Sequence, residues 1–438
     1  MNTVVIGLQW GDEGKAKIVD HFAQEYGAVV RFNGGANAGH TTKAKVGDKD
    51  IEFVFHLMPA GALYEGKACV IGNGVVLDPF QLEKEIQELE SHGLTIRDRL
   101  YLSESTHLVL PIHKLLDQKR ESRRGKQSLG TTSRGIGPAY REKAGRTGLR
   151  VADALHKEYF QEKMKSLYED VAPILGAGFE PSSYLQDSED YYEIIQSFKG
   201  NITDTTLLLS KLQKEGSKLL FEGAQACFLD IDHGTYPYVS SSNSSSGGAC
   251  TGSGVGPRDI HNVVGVLKAY CTRVGTGIFP TELNREEQEE KLAEELREVG
   301  AEYGATTGRP RRIGWLDGVF LRKSVALNSL DGIALTKIDV LDGQEEIKVA
   351  TSYRRGEQLL DRLPACEKDW DGIEPVYTSF EGWKGKTMGC KSKAELPVKA
   401  RDYLHALEEI ASVPIVCVST GPKRSELIHK GEGSWLDD

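Results

Sequence analysis

The chain opens on a short apolar run, Val4-Val5-Ile6, that reads as a buried strand. Residues 7–15 form a polar loop, and from Lys17 onward Ile18, Val19 and Phe22 share a face at i, i+1, i+4 spacing, which predicts a helix. Residues 28–32 predict a second strand that runs straight into the glycine-rich stretch NGGANAGHT. Asp78-Pro79 sets an N-cap residue before Pro at the first helical position, and Leu82, Ile86 and Leu89 repeat at helical spacing until Gly93. Residues 219–221 and 333–336 are further strands, each ending in a polar loop; residues 397–411 read as a helix and 415–418 as a strand that stops at STGP. Strands alternating with helices, with loops gathered after the strands, predict an α/β fold: a mainly parallel central sheet, surrounding helices, inserted subregions and ligand sites at the strand carboxyl ends.

Composition narrows this picture. A chain of 438 residues with 39% apolar side chains can bury a large core. No internal repeat or boundary is evident, so residues 1–438 are read as one large α/β domain with insertions. The net charge of −10 excludes a general binder of nucleic acid or membrane surface, because both would be repelled by most of the protein. Any anion must be held by local groups. Seven scattered cysteines without C-x-x-C spacing indicate neither a disulfide framework nor a zinc cluster, and a reducing cytoplasm is expected. There is no basic leader ahead of the first apolar run and no stretch near the ~18 apolar residues that a membrane span needs. Two segments resist the alternating pattern. KRESRRGKQSLGTTSRGIGPAYREKAGRTGLR is rich in Arg, Lys and Gly, and SSSNSSSGGACTGSGVGPRD has the composition of a spacer, which does not separate a flexible linker from an ordered loop.

Candidate chemistry begins in LQWGDEGKAKIVD. A phosphate-binding loop of the form G-x-x-x-x-G-K-[ST] needs Gly at position 9 and a hydroxyl at 16; here Gln9 and Ala16 flank an intact Gly14-Lys15. Ala16 cannot ligate a metal, so Mg²⁺ must take an oxygen from elsewhere, and Asp12 is the nearest candidate. Far along the chain, Thr336-Lys337-Ile338-Asp339 has the [NT]-K-x-D arrangement that reads guanine. A carboxylate can accept from N1–H and the exocyclic amine of guanine, and adenine has neither donor there. Read blandly, Lys337 and Asp339 are ordinary charges at a strand end. Joined with Gly14-Lys15 and STGP, they favour a guanine nucleotide site.

QWGDEGKAK, NGGANAGHT, IGNGVVLDP, GTTSRGIGPAY, FEGAQACFLDIDHGTYPYVSSSN, GATTGRPRRIGWLD, LTKIDVLDG and VSTGP occur in the order in which adenylosuccinate synthetases carry closely similar strings. The chain therefore resembles that family over nearly its whole length. The resemblance implies a GTP-dependent ligase that joins L-aspartate to IMP through a 6-phosphoryl intermediate, giving adenylosuccinate, GDP and phosphate. It assigns Asp12 as the base and a ligand of one Mg²⁺ per subunit, the Gly39 carbonyl as a second ligand, His40 as the acid, Lys15 as the neutraliser of the transferring phosphate and Gln225 as a partner of the 6-phosphoryl group. GTP, the co-substrate, would meet Glu13, Gly14, Lys15, Ala16, Gly39, Thr41, Arg311, Lys337, Asp339, Ser419 and Gly421. IMP would meet Asp12, Asn37, Thr132, Gln225, Ser240 and Arg309, with Arg146 reaching the IMP phosphate of a neighbouring subunit in a homodimer. Thr306, Thr307 and Arg309 would hold the L-aspartate carboxylates, and the serine-rich stretch would be ordered. Ala16, Ser133, Ser240 and Pro310 depart from the family's usual residues. At Ala16 and Ser133, where Gly is usual, a side chain would be strained if φ were positive or an amide had to approach phosphate closely. A ligase for another 6-oxopurine nucleotide or amino acid, and a GTP-binding regulatory switch, are the competing readings.

Overall fold

The computed structural model describes residues 1–46, 49–125, 130–304 and 308–429. The chain divides into two compact units, each assembled from separated stretches. The first takes Met1–Val4, Val19–Ala224 and Ser240–His261; the second takes Val5–Ile18, Gln225–Val239 and the chain from Asn262 onward. The opening strand, β1 (Thr3–Gly7), is therefore divided after Val4.

In the first unit, Leu219–Glu222, Ala28–Arg31, Ala68–Ile71, Leu100–Ser103 and Ile202–Thr203 lie side by side in that order, all parallel. Sequences such as AVVR and LLFE are buried at every position, as strands covered on both faces must be. The helix predicted after Asp78 spans Pro79–Ser91, and the Asp78 carboxylate accepts from the Gln81 amide. Its Leu82, Ile86 and Leu89 join Leu100, Leu102, Phe160 and Met164 in one apolar core. The arginine-rich segment supplies the C-terminal turns of the helix Pro111–Arg124, from Lys119 onward, and all of the helix Ile136–Gly145.

The serine-rich stretch is ordered. Ser242, Ser244 and Ser245 are buried, and Gly247–Ser253 is a helix. A Cβ at Gly252 would stand 1.9 Å from the Phe32 carbonyl oxygen, so small residues serve close backbone packing here, the opposite of what they do in a linker.

In the second unit, Asn262–Lys268, Gly332–Thr336 and Ile415–Ser419 are parallel neighbours, and Leu427–His429 adds an antiparallel edge. The predicted strands at 333–336 and 415–418 are each one residue longer than their apolar cores. Trp10 anchors an aromatic cluster with Phe228, Phe279 and Phe320, its ring centroid 4.6 Å from that of Phe320. An inserted, mainly antiparallel sheet carries Glu346–Arg355 between Gln358–Leu360 and Glu374–Glu381. The helix α1 (Lys15–Ala23) begins two residues before its expected start at Lys17, because Gly14, at φ +84°, turns the chain directly into it. Among the described residues no helix is long and apolar enough to cross a membrane.

Candidate functional site

The strands of each unit end on the residues that carry chemistry. Arg31 and Glu222 close two neighbouring parallel strands of the first unit; Lys268, Thr336 and Ser419 close three of the second. All five are buried. A polar residue at the carboxyl end of a buried strand is where an α/β sheet delivers its binding groups.

The loop between β1 and α1 is organised by its own side chain. Glu13, fully buried, accepts from the Gln9 amide at 3.1 Å and the Gly11 amide at 2.9 Å, and its other oxygen lies 2.6 Å from Lys15 Nζ. Gly7 leaves room for it: a Cβ there would stand 2.4 Å from Glu13 Oε2. Thr336 ties the strand Gly332–Thr336 to the loop, its hydroxyl donating to the Glu13 carbonyl at 2.5 Å. Ala16 sits inside α1, without positive φ, so the methyl group causes no backbone strain. Ser133 does carry the strain foreseen for a glycine replacement, at φ +54°.

Asp12, at φ +59°, presents a partly exposed carboxylate. Arg311 Nε lies 2.9 Å from Asp12 Oδ2, an ion-pair contact not aligned as a hydrogen bond, while Arg311 Nη1 donates to Glu302 at 2.5 Å. Glu302 also accepts from Lys268 Nζ at 2.8 Å and from the Tyr270 hydroxyl. Burial alone would raise the Glu302 carboxyl, but Lys268, then Arg311 and Lys337, hold it down to about 2. Burial lowers Lys268, against the pull of Glu302.

Lys337, at φ +62°, donates to the Gly300 carbonyl at 2.7 Å, and Asp339 is buried, its carboxyl raised by burial. Lys17 joins α1 to the STGP loop, donating to Ser419 Oγ at 2.8 Å and to the carbonyls of Gly421 and Glu426 at 2.7 Å each. Burial lowers Lys17 to about 8.

In the first unit, His40 begins a hairpin of His40–Val46 and Lys49–Phe55. Its Nδ1 lies 2.6 Å from Glu222 Oε1, with Arg31 Nη1 3.3 Å from both atoms. Burial opposes ionisation of Glu222, yet Arg31 and His40 keep its carboxyl below the usual range. Asn37 and Ser240 are half-buried, as Gln225 is in the second unit; Thr41 and Thr132 are exposed, and so is Arg309 of the second unit. Arg146 is exposed at φ +65°, where it caps the helix Ile136–Gly145. Thr306 and Thr307 lie outside the described residues.

Eight non-glycine residues have positive φ among those described, and four of them, Asp12, Arg146, Gln225 and Lys337, are residues the sequence singles out for binding or catalysis. Each such conformation costs about 1–2 kcal/mol and persists only where the surroundings enforce it, which is common at functional sites. Five charged residues of these networks were given no role by the sequence: Lys17, Arg31, Glu222, Lys268 and Glu302. Lys17 and Glu222 stand inside QWGDEGKAK and FEGAQACFLDIDHGTYPYVSSSN, while for Arg31 and Lys268 the available signal was a lone charge at the end of an apolar strand.

Residues 4–428 match the model of the family described as adenylosuccinate synthetase. The chain is similar to the adenylosuccinate synthetase of Citrifermentans bemidjiense, 49% identical over 430 residues with 98% of each chain covered. It is equally similar to that of Proteus mirabilis, 49% identical over 431 residues with 98% of each covered. Among solved structures it resembles the fully ligated adenylosuccinate synthetase from Plasmodium falciparum, with a TM-score of 0.91 and 39% identity over 98% of this chain and 100% of that one.

Proposed function

The chain belongs to the adenylosuccinate synthetase family, and on that premise we propose how its residues divide the work of joining L-aspartate to IMP. The activity is that of a GTP-dependent carbon–nitrogen ligase of purine biosynthesis, giving adenylosuccinate, GDP and phosphate. The 6-oxo group of a purine resists displacement by an amine because oxide leaves poorly. Phosphorylation of O6 makes phosphate the leaving group.

Asp12 takes the N1 proton of IMP as O6 attacks the γ-phosphorus of GTP and the bond to the β-bridging oxygen breaks. Lys15 neutralises the phosphoryl group in transfer, His40 donates to the departing β-phosphate side, and Gln225 holds the 6-phosphoryl group. L-Aspartate, its carboxylates gripped by Thr306, Thr307 and Arg309, then attacks C6 through its amine; the C–N bond forms as the C6–O bond to phosphate breaks, and one amine proton leaves with the phosphate. Asn37, Thr132 and Ser240 hold IMP. Lys337, Asp339, Ser419 and Gly421 form the guanine pocket, and Glu13, Gly14, Ala16, Thr41 and Arg311 complete the GTP site. Arg146, exposed at a helix end, reaches the IMP of a second subunit in a homodimer. A cytoplasmic location follows from the role.

Asp12 and the Gly39 carbonyl are hard oxygen donors that suit Mg²⁺. Among the described residues no three His, Cys, Asp or Glu side chains cluster, and Mg²⁺ usually takes one or two protein oxygens, completing its shell with water and substrate phosphates. When bound, the ion would draw charge from the phosphates and screen Asp12 from them.

The observation that supports these roles best is Asp12 itself: a carboxylate inside a phosphate loop, in a left-handed backbone conformation, facing Arg311 at 2.9 Å. The test is product mass from IMP, GTP, Mg²⁺ and L-aspartate with the purified protein. Adenylosuccinate is expected, and Asp12→Ala should yield none while keeping the native circular dichroism spectrum. Turnover by that variant would remove Asp12 as the base, and a product of different mass would name another purine or amino acid.

A further inference from the structure

We propose that Glu222 is a positioning residue for His40: its carboxylate fixes the proton on Nδ1 and orients the ring. The inference rests on the reading of His40 as the acid.

Glu222 is the last residue of a fully buried strand and is itself 0% exposed. A carboxylate in such a place needs partners on both oxygens. Oε2 accepts from the Ala60 amide at 2.9 Å; Oε1 lies 2.6 Å from His40 Nδ1 and 3.3 Å from Arg31 Nη1. An ionised carboxylate only accepts and a guanidinium only donates, so the short contact requires the proton on Nδ1, and Arg31 cannot share that atom as an acceptor. The short contact thereby sets both the tautomer and the plane of the ring. Arg31 faces both residues and keeps Glu222 ionised against its burial; the Cys69 thiol nearby, pushed up to about 12 by burial, stays neutral. Glutamine at 222 cannot replace the carboxylate, because one of its terminal atoms is a donor. Either Ala60 N–H or His40 Nδ1–H then faces an N–H group.

The test compares steady-state kinetics of the full-length wild type, His40→Asn, Glu222→Gln and the double variant. Loss of a positioned acid costs roughly 10²- to 10⁴-fold, so kcat should fall by at least ~100-fold in each single variant. KM for IMP and L-aspartate should stay within about twofold, since neither role concerns their ground-state binding. The double variant should be no worse than His40→Asn, because the two residues act as one unit. A Glu222 that merely stabilises the fold would cost the same factor in both backgrounds, and that result, or an undiminished kcat in Glu222→Gln, overturns the proposal. Proton NMR of the histidine-¹⁵N-labelled wild type supplies a reading free of turnover: a far-downfield imidazole N–H resonance that disappears in His40→Asn. Its absence from the wild type overturns the proposal even if Glu222→Gln fails to fold. An unimpaired His40→Asn variant, by contrast, would remove the acid assignment itself.

Discussion

Substituting Asp339 by asparagine should exchange guanine selectivity for xanthine selectivity. Asp339 is 8% exposed, and burial raises its carboxyl, so the charge is held in a place where it lacks full solvation. Guanine would bring it two donors, N1–H and the exocyclic amine. A hydrogen bond to a charged group is worth about 1.5–3 kcal/mol, so the pair contributes roughly 3–6 kcal/mol to recognition. Asn keeps one acceptor and turns an amide N–H₂ toward one of guanine's own donors. Part of the loss is returned because the neutral amide no longer bears the desolvation of a buried charge, which favours the lower half of that range. A fall of roughly 10²- to 10³-fold in kcat/KM for GTP follows. Xanthine carries an oxygen where guanine has its amine, and the Asn amide can donate to it while its carbonyl accepts from N1–H. The assay is kcat/KM for GTP and for XTP at saturating IMP and L-aspartate, with XTP expected to match or exceed GTP in the variant. A variant that keeps the wild-type preference for GTP would show that Asp339 does not read the base.

Glu302→Gln leaves Lys268 and Arg311 without their shared buried carboxylate. A carboxyl held at about 2 against its ordinary 4.5 contributes about 3 kcal/mol, less the cost of burying Lys268. Because the folded value is depressed, that contribution is complete above pH 4.5 and disappears as pH falls through 2. The variant should therefore melt below the wild type at pH 7, with the gap closing in acid, and equal melting temperatures at pH 7 would refute the assignment. Lys17→Met strands three acceptors of the STGP loop, and losing about 1.4 kcal/mol of loop order raises KM for GTP roughly tenfold with KM for IMP unchanged. In the wild type that KM should climb as pH rises through about 8, where the Lys17 ammonium loses a proton and one of its donors; a flat profile would count against the clamp. Ser133→Gly removes a left-handed serine at φ +54° and should raise the melting temperature, by about 1 kcal/mol of backbone relief less the entropy glycine adds to the unfolded chain.

The elements were legible wherever an apolar run or a helical stripe was the cause of the structure. Val4 to Ile6, Ile415 to Val418 and the helix after Asp78 are set by local pattern, and each lies within a residue or two of its expected place. The hairpin that starts at His40 was not legible, because its strands, HTTKAKV and KDIEFVF, carry too little apolar alternation in the first to announce themselves. Composition left the serine-rich stretch open for a related reason: small residues serve flexible linkers and tight backbone contacts alike, and the carbonyl of Phe32 beside Gly252 decides for the ordered form that the resemblance implies. Candidate site residues with motifs, Lys15, Lys337 and Asp339, are named from spacing. Glu302 and Lys268, 34 positions apart, are joined only by folding.

The phosphate loop without a hydroxyl at position 16 is best understood through its charges. An ordinary loop of this type relies on uncommitted amides and one lysine to hold an anion. Here two acids stand within it, and each has its own cation: Glu13 faces Lys15 at 2.6 Å, and Asp12 faces Arg311 at 2.9 Å. Glu13 is fully buried and bonded to the Gln9 and Gly11 amides, so it belongs to the loop's skeleton and shapes the turn that leaves Asp12 at φ +59°. Asp12 is partly exposed and bonded to no loop amide that would fix its charge in place, so it is the acid able to change partners. On the proposed roles, a triphosphate would compete with Asp12 for Arg311 and with Glu13 for Lys15, and the first exchange would free the carboxylate proposed to take a proton from IMP. Binding of the phosphate donor and readiness of the base would then be coupled through one arginine, so Arg311→Leu should depress kcat more than it raises KM for GTP, whereas a purely ground-state contact would raise KM alone.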